Sequence, residues 1–276
     1  MKFAKVSLLF VAYVIVFFQE GRASHTRKHF VLVHGAGHGA WCWYKLVPLL
    51  KQSGHNVTTI DLAGAGRDPR QPTDLRTFSD YTRPLMEFMA SVAASETVVL
   101  VGHSMGGLAI SQAIEKFPGK VSLAVFVAAL MPGPSNGVSA VMSKYFKQRP
   151  PPMDTKTVNV SSKTVASYNI LGPVYLRSNL YQRSSAEDWT LATMLVREVV
   201  VFKEGEVGRE IKATVGNYGS VRRVYVKTER DLALKPRFQR WMIERNPPHQ
   251  VKELRGSDHM AMMSATTRLF STLLQL

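Results

Sequence analysis

Short apolar runs rich in β-branched residues alternate along the chain with longer stretches whose apolar residues recur at helical spacing, a pattern that predicts an α/β fold with a mostly parallel sheet flanked by helices. Six runs read as strands: HFVLVHG from His29, HNVTTID from His55, TVVLVGH from Thr97, VSLAVFVAA from Val121, VRRVYVK from Val221 and QVKELRG from Gln250. Between them YKLVPLLKQSG, DYTRPLMEFMASVAA, GGLAISQAIEKFPG and PRFQRWMIERN read as helices that stop near Gly, Pro or Asn, with Pro84 expected in a first helical turn. From about residue 132 to 219 the rhythm breaks. Pro132, Pro134 and the run Pro150 to Pro152 open a polar, largely helical-looking stretch, read as a cap inserted after the fourth strand, and the sheet resumes at Val221.

The first residues, MKFAKVSLLFVAYVIVFFQEGRAS, place Lys2 and Lys5 before an apolar stretch from Val6 to Phe18 and small residues near Ala23. That order is the pattern of a secretory signal over residues 1–23, leaving residues 24–276 as the folded domain, secreted or endomembrane. The apolar stretch is shorter than the roughly 20 residues a membrane span needs. Cytoplasmic residence is the alternative, and Cys42 favours it, because secreted proteins usually pair their cysteines and this chain has one. One cysteine also excludes a disulfide framework and any multi-cysteine zinc site.

Two loops carry candidate chemistry. Gly35, Gly37 and Ala40 follow the first strand and satisfy the GxGxxG/A dinucleotide fingerprint, with Asp61 about 20 residues on, where a ribose-binding acid would stand. Trp41, Trp43 and Tyr44 weaken that reading, since they are bulky where a helix should pack closely on a strand. Gly102-His103-Ser104-Met105-Gly106 is a GxSxG turn between a strand-like run and a helix-like run. Such a turn exposes a strained serine at the carboxyl edge of the sheet and adds the dipole and free amides of a helix N-terminus.

A serine hydroxyl needs a general base, and the base needs an orienting acid; in α/β-hydrolases the chain order is serine, acid, histidine. His259, after the last predicted strand, is the expected base. The loop after the fifth offers Glu229 and Asp231, of which Asp231 lies further into the loop and is preferred. Asp258 adjoins His259, but adjacent side chains at a strand end diverge. His103 is expected to support the turn. The backbone N–H groups of Ala36 and Met105 are candidate oxyanion donors, which gives the first glycine loop a use without a dinucleotide.

These segments resemble a branch of the α/β-hydrolases, the plant methylesterase family that includes salicylate-binding methylesterases and hydroxynitrile lyases. The resemblance rests on HFVLVHGAGHGAWCWYKLVPLL, DYTRPLMEFM, VVLVGHSMGG, AVFVAALMP, FQRWMIERNPP and GSDHMAMMS and covers nearly the whole chain after the leader. It implies a Ser104–Asp231–His259 triad with Ala36 and Met105 as oxyanion donors. The lyases of that family need a threonine in the first loop and a lysine after the histidine; Gly35 and Met260 stand there in this chain. The implied activity is therefore a serine carboxylesterase acting on methyl esters of small carboxylic acids, such as methyl jasmonate, methyl salicylate or methyl indole-3-acetate. A lyase and a non-catalytic hormone-binding protein are the alternatives. No metal or organic cofactor is required, and Tyr145, Phe146, Tyr168, Tyr175, Tyr181 and Trp189 of the cap are expected to wall an apolar acyl pocket.

Composition adds one question, a net charge of +15 from 35 Lys and Arg against 20 Asp and Glu. The excess is spread over predicted helices and cap rather than clustered with aromatics, so it reads as a solvated surface and not as a nucleic-acid site. The expected partner is a small-molecule methyl ester, with no integral membrane span in the mature chain; a homodimer is compatible with the sequence.

Overall fold

The computed structural model describes residues 27–276, so the expected leader lies outside the described residues. All six expected strands form: β1 His29–Val33, β2 Asn56–Ile60, β3 Val98–His103, β4 Val121–Val127, and, beyond three cap strands, β8 Arg223–Thr228 and β9 Gln250–Leu254. They make one sheet in the order β2-β1-β3-β4-β8-β9, and every neighbouring pair is parallel. Side chains of a strand alternate between faces, so both faces of this sheet need cover. In β1, Val31 and Val33 join the core layer of the helices Phe78–Ser91 and Gly106–Lys116, while Phe30 and Leu32 join the layer of Leu46–Gln52 and Thr266–Leu274.

The strand order reverses at β1. From β1 the chain steps outward to β2 and then returns to β3 on the other side, which opens a crevice beyond the carboxyl ends of β1 and β3, where open α/β sheets bind ligands. The glycine loop and the GxSxG turn both emerge there. His34 fixes the first of them: its Nδ1 meets the Gly35 carbonyl at 2.7 Å, and its Nε2 accepts from the Leu62 amide at 3.0 Å.

The helix Phe78–Ser91 begins earlier than expected. Thr77 and Asp80 form a reciprocal capping box at its start, so Pro84 falls inside the helix rather than in its first turn. Two satisfied orphan amides outweigh the preference of proline for the first turn.

The cap between β4 and β8, expected to be largely helical, contains the helices Val138–Phe146, Ala186–Leu195 and Glu204–Glu210, and with them a sheet the sequence did not signal. Strands β5 Lys156–Asn159, β6 Val165–Ile170 and β7 Val199–Phe202 pair antiparallel in the order β5-β6-β7. Polar ties hold the cap to the sheet domain. Asp188 accepts from the Tyr44 hydroxyl at 2.7 Å and the Lys45 ammonium at 2.6 Å, and Asp258 accepts from the Arg183 amide at 2.8 Å and the Ser184 hydroxyl at 2.9 Å. Among the described residues no helix is long and apolar enough to cross a membrane.

A Cβ on Gly106 would stand 2.5 Å from the His34 carbonyl oxygen and 2.8 Å from that of Val33, both backbone atoms. Gly106→Ala should therefore lower unfolding free energy by about 1–3 kcal/mol, read from denaturant midpoints, because the helix must move off β1. Burial also holds His38 down to about 4, and His34 and His103 shift in the same direction. The unfolded chain, titrating near 6.5, then binds more protons than the folded one in that window, so stability is complete above about pH 6.5 and falls as pH drops toward 4. At pH 5 His38 alone should cost on the order of 2 kcal/mol relative to pH 7, and equal urea midpoints at the two values would refute its neutral burial.

Candidate active site

The turn after β3 places Ser104 at φ +54°, a left-handed conformation that an L-residue enters at a cost of roughly 1–2 kcal/mol. Close packing explains how it persists. The Ser104 carbonyl accepts from the Gly107 amide at 3.1 Å and the Leu130 amide at 3.0 Å, and Ser104 N donates to Val127 O at 3.4 Å. The flanking glycines have no room for a side chain, since a Cβ on Gly102 would lie 2.8 Å from the Gly106 carbonyl and one on Gly107 2.2 Å from the Leu130 carbonyl. Gly35 approaches from β1, where a Cβ would stand 2.7 Å from that of Ser104.

The loops after β8 and β9 bring Asp231 and His259 together. His259 Nδ1 lies 2.8 Å from Asp231 Oδ2, and both side chains are almost fully buried. The remaining lone pairs of the carboxylate are filled: Thr228 Oγ1 donates at 3.0 Å and Gln239 Nε2 at 3.3 Å to Oδ2, while the amides of Ala233 and Leu234 donate at 2.9 and 2.7 Å to Oδ1. A carboxylate so held directs the imidazole proton to Nδ1 and leaves Nε2 as the acceptor. The histidine loop is pinned from the other side by His103, whose Nε2 lies 2.9 Å from the His259 carbonyl. Burial first, and the His259 ring second, push the His103 imidazole well below its usual range, so this support is a neutral ring.

The competing acids are engaged elsewhere. Glu229 accepts from the Gly256 amide at 2.7 Å and pairs with Arg230 at 3.7 Å; that amide holds its carboxyl below the usual range. Asp258 accepts from the Met260 amide at 3.0 Å besides its cap contacts, and burial pushes it up. Asp61, the acid of the dinucleotide fingerprint, accepts from the Ala40 amide at 2.6 Å and the Arg67 amide at 3.2 Å, so it braces the glycine loop.

Ser104, His259, Ala36 and Met105 line one cavity of about 160 Å³ between sheet and cap. Its walls are mostly apolar. Of the six cap aromatics expected there, Tyr145, Phe146 and Tyr175 line it. Tyr168 packs on the core, Trp189 donates to the Pro173 carbonyl at 3.1 Å, and Tyr181 is buried against His38. Two contributors were not singled out from the sequence. Gln239 carries the Asp231 loop and was detectable as a polar residue on the buried face of an amphipathic helix, whereas the partnership of His38 with Tyr181 spans 143 residues and leaves no local signal.

Comparison with known proteins agrees with this architecture. A model of the alpha/beta hydrolase family matches residues 30–272. The chain is 47% identical over 239 residues to methyl jasmonate esterase 1 of Vitis vinifera, covering 86% of this chain and 92% of that one, and 43% identical over 252 residues to salicylic acid-binding protein 2 of Nicotiana tabacum, covering 90% and 96%. Among solved structures, tomato methylketone synthase I complexed with 2-tridecanone superposes with a TM-score of 0.86 at 47% identity, covering 91% of this chain and 97% of that one. The chain belongs to the plant methylesterase family of the α/β-hydrolases.

Proposed function

We propose that this protein is a serine carboxylesterase that hydrolyses methyl esters of small carboxylic acids, with plant-hormone esters such as methyl jasmonate, methyl salicylate or methyl indole-3-acetate as the substrate class. The observation that carries the reading is the 2.8 Å Asp231–His259 pair, whose histidine lines the same cavity as a serine held at φ +54°. The names of the relatives, a methyl jasmonate esterase and a salicylic acid-binding protein, support the ester class and the acid class.

In this mechanism Ser104 Oγ attacks the ester carbonyl while His259 Nε2 takes its proton, and Asp231 stabilises the resulting imidazolium. The negative oxygen of the tetrahedral intermediate is met by the amides of Ala36 and Met105; the Met105 amide precedes the helix Gly106–Lys116 and so belongs to the unpaired first turn. Methoxide leaves with the proton from His259 as methanol. Water then attacks the acyl-serine, giving its proton to His259, and the acid departs as Ser104 recovers its own. A lyase reading is disfavoured by the same geometry. Any side chain at position 35 would press on Ser104, and Met260, fully buried, brings no positive charge beside His259.

Hydrolysis of a panel of methyl jasmonate, methyl salicylate and methyl indole-3-acetate, followed by release of acid, should show turnover of at least one ester. Ser104→Ala should remove it, and Asp231→Asn should lower kcat by about 10⁴-fold, since the ring then settles in the wrong tautomer. Glu229→Gln should stay near wild type. Full turnover by Ser104→Ala would overturn the serine mechanism, and tight binding of the acids with no product over hours would point to a hormone-binding protein instead.

A further inference from the structure

His38 lies in the first loop, outside the proposed triad, and is 1% exposed. Its ring lies nearly parallel to those of Trp41, 5.3 Å away between centroids, and Tyr181, 5.9 Å away. Nδ1 is 2.9 Å from the Ala36 carbonyl oxygen and Nε2 is 2.7 Å from the Tyr181 hydroxyl. A carbonyl can only accept, so Nδ1 carries the proton; the neutral ring then has its lone pair on Nε2, and Tyr181 donates. Burial, which brings the imidazole down to about 4, keeps this order of donors fixed at ordinary pH.

A second tie acts one residue further on. The Gly37 carbonyl accepts from the Arg197 amide at 2.9 Å, and Gly37, at φ +71°, lies so close to the cap that a Cβ there would stand 2.9 Å from Val199 Cγ2 and 3.2 Å from the Arg197 carbonyl. Tyr181, Arg197 and Val199 all belong to the cap. From the sheet side His34 holds the Gly35 carbonyl and Asp61 the Ala40 amide, and the His38 amide closes a turn on the Gly35 carbonyl at 3.3 Å; between those ties Ala36 has glycine on both sides, where side chains restrict the backbone least.

We propose that the cap organises the oxyanion hole: the Tyr181–His38–Ala36 relay, together with the Arg197 amide, fixes the peptide planes around Ala36, which makes His38 and Tyr181 positioning residues for hydrolysis. The proposal rests on the esterase reading above. Its physical content is that the sheet-side bonds of His34 and Asp61 hold the ends of the loop while the cap-side bonds set the aim of the Ala36 amide between them. A cap that loosens its hold on His38 leaves Ser104, Asp231 and His259 in place while weakening the charge stabilisation that the transition state needs most.

Phenylalanine at position 181 keeps the stacking and the volume and removes one oxygen, so it separates the relay from packing. The test measures kcat and KM on the best ester of the panel for Tyr181→Phe, His38→Ala and His38→Asn, with melting temperatures. Alongside these, it measures affinity for a trifluoromethyl ketone carrying the same acyl group and for the product acid. Ser104 Oγ adds to the ketone carbon, the carbonyl electron pair moves to oxygen, and the serine proton passes to His259, so this ligand reports the oxyanion hole.

Tyr181→Phe should lower kcat about tenfold and His38→Ala about a hundredfold, the latter at the lower end of what outright loss of an oxyanion donor costs, with KM within about twofold. Affinity for the ketone should fall by the same factors while affinity for the acid holds. His38→Asn, whose side-chain amide can donate from near the Nδ1 position, should recover to within a few-fold of Tyr181→Phe. The proposal is overturned if Tyr181→Phe melts like wild type and keeps kcat and ketone affinity, or if ketone and acid affinities drop together. Tyr181→Phe alone decides if His38→Ala does not fold. Failure of the esterase reading looks different: wild type would turn over no ester, and a fluorophosphonate would not label Ser104.

Discussion

A serine backbone at φ +54° can persist only where its surroundings leave it no alternative, and most of the sheet domain is arranged to that end. The requirement reaches outward in steps. For Ser104 to stand clear of the sheet, the helix Gly106–Lys116 must start almost on top of β3 and beside β1, which demands backbone contact at Gly102, Gly106 and Gly107. For the Ser104 carbonyl to be satisfied in that position, the chain leaving β4 must bring the Leu130 amide within 3.0 Å, and Ala128 on the way there also takes a positive φ, of 43°. The strain is local and modest, roughly 1–2 kcal/mol per such residue, so a sheet buried on both faces offsets it readily.

Three buried carboxylates show how one kind of group is put to different uses by its donors. Asp188 pairs with Lys45 and caps its own helix through Ser185, so its charge is neutralised and the cap is tied to the loop after β1. Asp258 has only neutral donors, the Arg183 and Met260 amides and the Ser184 hydroxyl among them, and burial raises its proton affinity. Asp231 is likewise surrounded by neutral donors, yet one of them is an imidazole that can become a cation. An ionised carboxylate buried without a permanent counter-ion is costly. Placing that carboxylate against His259 gives it a partner that would carry the opposite charge whenever the ring takes up a proton in the proposed reaction.

The sheet was legible because five of its six strands carry two or more β-branched residues, β9 having only Val251, and each is bounded by Gly, Pro or a polar turn. Ser104 and His259 were legible for a related reason: each sits within a few residues of a strand end, so strand position and local motif determine where the side chain emerges. The cap was less so. Strands β5 and β6, KTVN and VASYNI, are short and mix polar residues with apolar ones, since β5 is exposed along its length and β6 is only partly covered. Pro84 misled for another reason, because proline tolerates more than one helical position and the competing signal, Thr77 with Asp80, lies earlier in the chain. The contact of Tyr181 with His38, 143 residues away in the chain, is made only by the finished fold, and no spacing rule reports it.

The division between sheet and cap bears on how selectivity can change in such a protein. The atoms proposed to do chemistry come from loops at the carboxyl edge of the sheet, while much of the cavity wall, including Tyr145, Phe146, Tyr175 and Val200, comes from the cap. Substitutions on that wall alter the shape of the cavity without touching Asp231 or His259, so the acyl preference is free to drift while the reaction is kept. That freedom ends at the residues which face the first loop. Tyr181 and Arg197 are cap residues by sequence but hold His38 and Gly37, and Asp258 on the histidine loop holds Arg183 and Ser184 in return. A cap remodelled for a new acid must therefore preserve the segment around 181–188 and the start of β7, and vary where it meets only substrate.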